Sequence, residues 1–522
     1  MGNQLEEERM SLDVNRLIDD GRWSNYQKLL VAGTALTIIL DGIDNTLLSP
    51  AIPTLMNEWK LQRGDFATAL AMSPFGMLIG GALGGWLGDR IGRRTALLWS
   101  VLVFAIPTML IYFAHSVGTL SLLRFLAGIG LGGAMPSATA LASEYVPKRN
   151  RPFAVTLTIV CVPIGAMTAA FLSVPLIKDY GWQIYFLLGG IVPLVISVLL
   201  YALLPESPRF LAGRRHRWPE LIKMLRRMGQ PISADAQFAP ASEGVSRGTS
   251  VADNGSVLEY ATPAKPKASA VDIFRPGLLR DTIGLFIGFF SCMLVVYLGL
   301  LLLPTALNKV AGFPQPVAQS ALGWWNIGGI GGALLAAMII QRLGSKWTML
   351  GLTTIAIVTS FVVSSMHISP DAPATAPAPL AAATAPESRA VASAPATAPA
   401  PPPSIDFTSR SGIALILICF IMGGAINAIQ VALYALAAHV FPTEIRGTGV
   451  GITITVGRIG NILASYVGIY ALDHGISAYF ATFGFGMILV FFAMLLVRNH
   501  IARIGLRVSV GMNRAPAEAT KG

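Results

Sequence analysis

The sequence predicts an all-α membrane protein with twelve transmembrane helices in two six-helix bundles that are related by pseudo-twofold symmetry. The first observation behind this prediction is composition: the 522-residue chain is 53% hydrophobic and 12% charged, with a mean hydropathy of +0.62. Soluble domains carry about 25% charged residues. The second is a set of long apolar runs, which exclude the alternating pattern of a membrane β-barrel. The third is an internal repeat that divides these runs into two equal groups.

Twelve runs are long enough to cross a hydrocarbon core of about 30 Å, which takes about 20 residues of α-helix. We number them spans 1 to 12, and they cover residues 27–50, 66–88, 95–114, 119–142, 153–176, 182–204, 282–304, 317–340, 347–366, 411–435, 447–470 and 477–497. The predicted organisation is an N-terminal tail (1–26), a first bundle (27–204), a central loop (205–280), a second bundle (281–497) and a C-terminal tail (498–522).

Basic residues indicate the orientation of the chain, because Lys and Arg are retained in cytoplasmic loops. With the N-terminus inside, the outer loops hold only six of the 38 Lys and Arg residues. Both termini are therefore predicted to be cytoplasmic, in a multi-pass protein of a bacterial inner membrane. The polar N-terminal tail lacks the pattern of a cleavable signal peptide. The net charge of +11 follows from this topology, and we expect no nucleic-acid partner.

The sequence shows no motif for hydrolytic or ATP-driven chemistry. Three cysteines, Cys161, Cys292 and Cys419, fall in separate spans without metal-ligand spacing. No HExxH, GxSxG or Walker-type phosphate loop occurs in the chain. We therefore expect a protein that is not an enzyme, that uses no metal or cofactor, and that works as a monomer in the lipid bilayer.

Loop motifs recur at matching places in the two halves. GWLGDRIGRR (Gly85–Arg94) follows span 2, and AMIIQRLGSK (Ala337–Lys346) follows span 8. SEYVPKRNR after span 4 likewise matches AHVFPTEIR after span 10. The second half is longer chiefly because of an Ala/Pro-rich stretch at 368–409, which we predict to be an extended outer loop. Two related bundles suit a transporter whose halves rock about a central site.

These motifs resemble those of the major facilitator superfamily. The resemblance lies in the G-x-L-x-D-R-x-G-R-R pattern at Gly85–Arg94, the R-F-L-x-G-x-G-x-G pattern at Arg124–Gly132 and PESPR at Pro205–Arg209, and it covers nearly the whole chain. The DGID sequence at Asp41–Asp44 resembles the D-G-x-D signature of the aromatic acid:proton symporter family. The resemblance implies the major facilitator fold, transport by alternating access and a small aromatic carboxylate as substrate.

Asp41, Asp44 and Arg124 are the candidates for proton coupling. A charge at mid-bilayer costs about 2.5–3.5 kcal/mol, so both acids are expected to face protein or water. Depth counting at about 1.5 Å per residue places Asp41 level with Arg124 of span 4, and Gly42 between the two acids allows close approach of a neighbouring helix. Either Arg124 anchors an anionic substrate and releases an acid for protonation, or an Asp-Arg pair merely stabilises the bundle. Which of Asp41 and Asp44 carries the proton stays open.

The segment after span 2 is the candidate gate. It lies too near the cytoplasmic face to contact a substrate at mid-membrane, and topology alone explains its arginines but not its carboxylate. The resemblance implies that Asp89 sits near the positive N-terminal end of span 11 and that Arg93 pairs with Glu144 at the inner end of span 4. The gating candidates are Gly85, Asp89, Arg90, Gly92, Arg93, Glu144 and Arg446.

Polar and aromatic residues of the second half are the candidate cavity lining. Together with Arg124, the predicted substrate-binding residues are Tyr297, Trp325, Asn326, Asn427, Gln430 and Tyr434. The last three share one helical face, and flat rings with amide groups suit an aromatic ligand, although each residue taken alone also suits helix packing. We predict structural roles for Arg458 of span 11 and for His439, with His439 a secondary candidate for proton movement.

These observations together predict a proton-coupled symporter that imports small aromatic carboxylates such as hydroxybenzoates. Two alternatives stay open: a facilitator for another metabolite, such as a sugar or a non-aromatic organic acid, and a membrane sensor that binds an aromatic acid without net transport. Competition by aromatic acids distinguishes the first alternative. Accumulation that a protonophore abolishes distinguishes the second.

Overall fold

The computed structural model describes residues 12–233, 236–238, 247–251, 257–261, 270–366, 410–442 and 445–502. The predicted Ala/Pro-rich loop at 368–409 and parts of both predicted tails lie outside the described residues. Eleven described helical segments are long and apolar enough to cross a membrane. One of them, Lys148–Leu203, contains two spans that are separated by a non-helical Gly181. The twelve-span prediction is therefore confirmed.

The helices begin and end close to the predicted positions. Spans 1 to 6 comprise Asn25–Thr46 with its continuation Leu48–Trp59, then Ala67–Ile91, Arg93–Leu110, Val117–Tyr145, and Arg151–Leu203 for spans 5 and 6 together. Spans 7 to 12 comprise Leu279–Thr305 with a short π-helix Ala306–Val310, then Gln315–Leu343, Ser345–Ser365, Arg410–Val440, Arg446–Asp473 and Ile476–Leu496. The largest departure is span 1, which continues as a helix well beyond its predicted end.

Span 1 begins where a side chain caps it. Ser24 accepts a hydrogen bond from the Gln27 amide (3.3 Å), and the Gln27 side chain accepts one from the Ser24 amide (2.8 Å). This reciprocal capping satisfies two backbone donors that a helix start would otherwise leave unpaired. The Gln27 side chain also donates to the Tyr145 carbonyl (2.8 Å), which fixes the start of span 1 against the end of span 4.

Glycines bring helices into backbone contact, and the pattern repeats in the two halves. A Cβ on Gly42 of span 1 would lie 2.2 Å from the Val162 carbonyl oxygen of span 5, so only glycine fits there. A Cβ on Gly460 of span 11 would likewise lie 2.2 Å from the Phe290 carbonyl oxygen of span 7. Spans 2 and 4 pack in the same way, as do spans 8 and 10. The close approach expected at Gly42 is confirmed.

Tight turns repeat as well. Gly92 between spans 2 and 3 has φ of 105°, and Gly344 between spans 8 and 9 has φ of 82°. Gly181 (85°) and Gly475 (104°) occupy the corresponding turns after spans 5 and 11. These backbone conformations favour glycine strongly because a Cβ would be strained. The sequence alignment of Gly92 with Gly344 therefore reflects a shared turn geometry, as pseudo-twofold symmetry requires.

The central segment contains a surface helix and a small hairpin. A helix is present at Trp218–Arg227, and it buries Leu221 and Leu225 against the first half. The central loop also includes strands β1 (Arg247–Val251) and β2 (Val257–Ala261), which pair antiparallel. This hairpin lies outside the twelve spans on which the all-α membrane fold rests.

The two halves meet at one end of the bundle. We call the end that carries residue 12 and residue 502 the termini end, and the other the far end. At the far end Arg63, between spans 1 and 2, forms an ion pair with Asp473 of span 11 (3.5 Å). Gln315 of span 8 donates a hydrogen bond to Thr54 of the span 1 extension (2.7 Å). These two contacts close the far end across the halves. At the termini end, in contrast, Asp89 has 68% of its side chain exposed.

Candidate functional site

Asp44 and Arg124 form a buried ion pair inside the first half. Their side chains are 0% and 1% exposed, and Arg124 Nη1 lies 3.4 Å from Asp44 Oδ2. The same nitrogen donates to the Asp44 carbonyl (3.2 Å), and Arg124 Nη2 donates to Ser73 Oγ (3.5 Å). Thr108 Oγ1 donates to the other Asp44 oxygen. Asp44 is thus partnered on both carboxylate oxygens by residues of spans 3 and 4.

Asp41 lies in a different environment from Asp44. It is 4% exposed, it lines a central cavity, and its Oδ1 has no hydrogen-bond partner among the described residues. Arg458 of span 11 is close enough for its charge to act on the Asp41 carboxylate. Depth counting predicted Asp41 level with Arg124, but the helix turns Asp44, not Asp41, toward that arginine. The free acid of the pair is therefore Asp41.

The central cavity lies between the two halves and has a volume of about 120 Å³. Spans 1, 2, 4 and 5 contribute Asp41, Asn45, Met77, Met135 and Pro163 among others. All six second-half candidates line it: Tyr297, Trp325, Asn326, Asn427, Gln430 and Tyr434. Spans 7 and 11 add Met293, Leu300, Ile454, Arg458 and Asn461. The lining is mostly apolar with a few polar groups, which is typical of small-molecule sites.

Arg458, and not Arg124, is the cation of this cavity. Arg124 is absent from the lining because Asp44 and Ser73 hold it within the first half. Arg458 is half-buried, and its Nη1 donates to the Met77 carbonyl of span 2, so the side chain crosses from the second half to the first. The structure thus shows the buried Asp-Arg pair that the sequence left open as one alternative, and substrate anchoring by Arg124 stays a prediction. Arg458, for which the sequence predicted only a structural role, lines the cavity.

The polar residues of the second half differ in how they are held. Asn326 donates to the Leu322 carbonyl (2.8 Å) and Asn427 to the Gly423 carbonyl (2.9 Å), so both amides turn back on their own helices. Gln430 Nε2 lies 3.4 Å from the Met293 sulfur. Aromatic packing fixes two rings: Tyr434 packs edge-on against Phe289 and Trp325 against Phe483. His439 is exposed and does not line the cavity.

The gating segment differs from prediction in its pairing. Arg93 forms an ion pair with Asp89 one turn earlier (2.5 Å), whereas Glu144 accepts a hydrogen bond from Ser207. The expected Arg93–Glu144 pair is therefore not formed in this structure, in which Arg93 is paired with Asp89 instead. Arg446 donates to the Phe441 carbonyl (3.3 Å) at the start of span 11.

Two other gating candidates have simpler surroundings. Arg90 packs its guanidinium over the Trp86 ring, 4.2 Å from the centroid. A Cβ on Gly85 would meet no atom within 4 Å, so this glycine makes no close contact in this conformation. Its role in the predicted gate therefore depends on a conformation other than this one.

Glu206 is a buried residue that the sequence reading missed. Its carboxylate accepts hydrogen bonds from the Arg94 amide (2.8 Å) and from Thr95 Oγ1 (3.1 Å) at the N-terminus of span 3. A Cβ on Gly92 would lie 2.3 Å from Glu206 Oε2, so the tight turn makes room for this carboxylate. A helix N-terminus favours a negative charge, which explains why an acid is stable here. The PESPR motif that contains Glu206 was the available signal.

Comparison with known proteins identifies the family. The sequence model of the Major Facilitator Superfamily matches residues 34–385. The chain belongs to the major facilitator superfamily. It is therefore a multi-pass membrane transporter and not an enzyme. The chain superposes on the inward-open xylose transporter XylE from E. coli with a TM-score of 0.62, covering 91% of this chain and 97% of that one at 16% identity, which supports the fold.

Several proteins of similar sequence are transporters of aromatic acids. The gallate transporter of Pseudomonas putida is 30% identical, over 89% of this chain and 90% of its own length. The 4-hydroxybenzoate transporter PcaK of Acinetobacter baylyi is 28% identical, over 90% of each chain. The benzoate transport protein of the same organism is 28% identical, over 87% of this chain and 85% of its own.

Proposed function

We propose that the chain is a proton-coupled symporter that imports small aromatic carboxylates, of the hydroxybenzoate kind, by alternating access. The observation that carries the proposal is the composition of the central cavity. It brings one unpaired buried carboxylate and one guanidinium together among aromatic rings and amides. The names of the relatives, which transport gallate, 4-hydroxybenzoate and benzoate, support the same substrate class.

The size of the cavity supports a substrate with a single ring. Its volume is about 120 Å³, and a cavity of about 150 Å³ in another protein accepts benzene. Met77, Met135 and Met293 in the wall are flexible side chains that adapt to a flat ligand. Trp325 offers an aromatic edge and face. The cavity in this conformation is somewhat smaller than the benzene-binding one, so a benzoate-sized acid requires the methionine side chains to move, whereas a disaccharide is far too large.

Charge balance explains how the substrate and the proton are coupled in this proposal. A substrate carboxylate binds Arg458 and neutralises the charge that acts on Asp41. A proton on Asp41 then compensates the remaining negative charge of the loaded site, so that the moving complex carries little uncompensated charge through the low-dielectric interior. Asp41 is the proton carrier in this scheme. Asp44 and Arg124 hold span 1 in position and do not exchange the proton.

The closed far end indicates which side of the membrane the cavity is closed to in this conformation. We assign the far end to the outer side of a bacterial inner membrane and the termini end to the cytoplasm, as the basic residues predict. Arg63 and Asp473 then close the outer side of the cavity. The Asp89–Arg93 segment lies at the inner side, where the gate is expected to close when the halves rock the other way. The protein is expected to act as a monomer.

Uptake into energised vesicles tests the proposal. Labelled 4-hydroxybenzoate, benzoate and xylose are offered with and without a protonophore. We expect accumulation of the aromatic acids that collapses when the protonophore is added, and no accumulation of the sugar. Accumulation of xylose but not of aromatic acids would indicate the rival facilitator. Saturable binding of aromatic acids without any accumulation would indicate the rival sensor.

A variant of the proposed proton carrier sharpens the test. Asp41→Asn is expected to exchange labelled substrate across the membrane but not to accumulate it, because exchange needs no net proton movement. Asn45→Leu, a cavity variant without a titratable group, is the matched control and keeps any accumulation sensitive to the protonophore. Uphill accumulation by Asp41→Asn would contradict the assignment of Asp41.

A further inference from the structure

One polar group of the cavity has no partner and no assigned role. Asn461 of span 11 is 2% exposed and lines the cavity, yet its Oδ1 makes no hydrogen bond to any described residue. A buried amide oxygen without a donor is unfavourable, and native structures usually supply one. The other cavity amides differ, because Asn326 and Asn427 donate to carbonyls of their own helices. The Asn461 oxygen is therefore a buried acceptor without a donor among the described residues, on a residue that lines the cavity.

A donor stands beside this acceptor. The Tyr297 hydroxyl accepts a hydrogen bond from Asn45 Nδ2 (3.3 Å), which leaves its own proton available for donation. The Asn461 amide also interacts with the Tyr297 phenol, so the two groups are neighbours across spans 7 and 11. One hydrogen-bond donor and one acceptor side by side match a hydroxyl group, which donates one hydrogen bond and accepts others.

The cation of the cavity lies one helical turn from this pair. Arg458 and Asn461 are three residues apart on span 11 and therefore lie on the same face. Both line the same cavity, whose size suits a single ring. A ring acid whose carboxylate binds Arg458 would present a ring substituent toward Asn461 and Tyr297.

We infer that Asn461 and Tyr297 bind a ring hydroxyl of the substrate, so that the transporter selects hydroxylated aromatic acids over unsubstituted benzoate. The inference rests on the proposed function and deepens it, since the named relatives include both benzoate and hydroxybenzoate transporters. The ring hydroxyl donates to Asn461 Oδ1 and accepts from the Tyr297 hydroxyl. Benzoate leaves both groups unpaired, and a site built for a hydroxyl rejects the analogue that lacks it.

The ratio of kcat/KM for hydroxylated acid to that for benzoate measures this selectivity. Uptake of 2-, 3- and 4-hydroxybenzoate and of benzoate is measured in proteoliposomes that contain the full chain. We expect the preferred hydroxy isomer to exceed benzoate by about 10- to 100-fold in the wild type. In Asn461→Leu the ratio is expected to fall by about 10-fold, because the acceptor is gone while the Tyr297 donor remains. Benzoate uptake by the same variant reports that it is folded.

Asn427→Leu is the matched control, because its amide already donates to its own helix. It is expected to change uptake of hydroxylated and unsubstituted acids by the same factor and so to preserve the ratio. A ratio that survives in Asn461→Leu would overturn the inference, and loss of the ratio in Asp41→Ala instead would assign the hydroxyl to the unpaired Asp41 oxygen.

Two further outcomes are decisive. If the wild type accumulates aromatic acids but takes up benzoate as well as every hydroxy isomer, the inference fails and the proposed function stands. If it accumulates no aromatic acid, the proposed function itself fails. Should Asn461→Leu transport nothing, the dissociation constants of 4-hydroxybenzoate and benzoate for purified Asn461→Ala, measured by ligand-dependent thermal stabilisation, give the same ratio without transport.

Discussion

Replacing Asp44 and Asp41 of span 1 separately should give two different phenotypes, one in stability and one in transport. Asp44→Asn removes one partner of a fully buried ion pair and leaves the Arg124 guanidinium charged inside the first half. Asp41→Asn removes the charge of a carboxylate whose Oδ1 has no hydrogen-bond partner among the described residues. We therefore expect Asp44→Asn to destabilise the fold and Asp41→Asn to impair coupling while leaving the fold intact.

The distance within the pair sets the magnitude. Two unit charges 3.4 Å apart attract by about 5 kcal/mol at an effective dielectric constant of about 20. Removing one partner of a buried pair costs about 3–5 kcal/mol, because the remaining charge is neither solvated nor paired. Ser73 and the Asp44 carbonyl still accept hydrogen bonds from Arg124 and reduce this cost. A loss of about 3 kcal/mol for Asp44→Asn is the expected result.

Thermal unfolding of the purified variants in detergent measures the first phenotype, and substrate exchange against accumulation in proteoliposomes measures the second. Arg124→Leu alone should unfold at a lower temperature than wild type, and the double variant Asp44→Asn with Arg124→Leu should recover part of that loss. The reasoning is refuted if Asp44→Asn melts with the wild type while losing only accumulation, or if Asp41→Asn proves to be the unstable variant.

Four further changes have specific expected outcomes. Gly42→Ala should lower the melting temperature, at a cost of about 1–3 kcal/mol, because its Cβ meets a carbonyl oxygen at 2.2 Å, whereas Gly351→Ala meets nothing within 4 Å and serves as control. Glu206→Gln should cost about 1–2 kcal/mol in chemical denaturation, because the capped helix start loses its charge. Arg63→Ala should cost less than about 1 kcal/mol in stability. In a background that carries Asn45→Cys in the cavity wall, it should raise labelling of that cysteine by a thiol reagent added at the far end. Burial lowers the pKa of His500 below its ordinary 6.5. The neutral imidazole therefore stabilises the fold above pH 6.5, and this stabilisation is lost as the pH falls. The melting temperature of the wild type should accordingly depend on pH below 6.5 more strongly than that of His500→Gln.

Depth along a helix could be predicted from the sequence, but direction around it could not. Counting residues placed Asp41 level with Arg124, and both do lie inside the membrane-spanning part of the first half. The rotation of span 1 depends on the contact of Gly42 with Val162 in span 5, which is a tertiary contact. That contact turns Asp44 toward Arg124 and Asp41 toward the cavity. A difference of about 60° around the helix therefore separates Asp44, which is paired inside the first half, from Asp41, which lines the cavity.

The second-half lining was predictable for a different reason. Polar residues inside an apolar span are expected to face protein or a cavity, and listing them together with nearby aromatic residues identified six of the residues that line the cavity from that half. The same rule applied to Arg458 and Asn461 would have found them too. Glu206 was harder to predict, because it acts on the start of span 3 from 112 positions away in the chain. Its role depends on the packing of span 6 against the turn at Gly92.

The placement of charges relative to the moving boundary decides which of them suits coupling. Asp44 and Arg124 belong to the same half, so in the proposed rocking of the halves their pair is expected to move as a unit. Asp41 belongs to the first half and Arg458 to the second, and Arg458 also reaches the Met77 carbonyl across the boundary. The distance between Asp41 and Arg458 therefore changes with every rocking movement. Coupling requires that the charge state of a group differ in free energy between the two conformations. Only an interaction that crosses the boundary satisfies that requirement directly, which supports Asp41 as the proton carrier and Asp44 as its anchor.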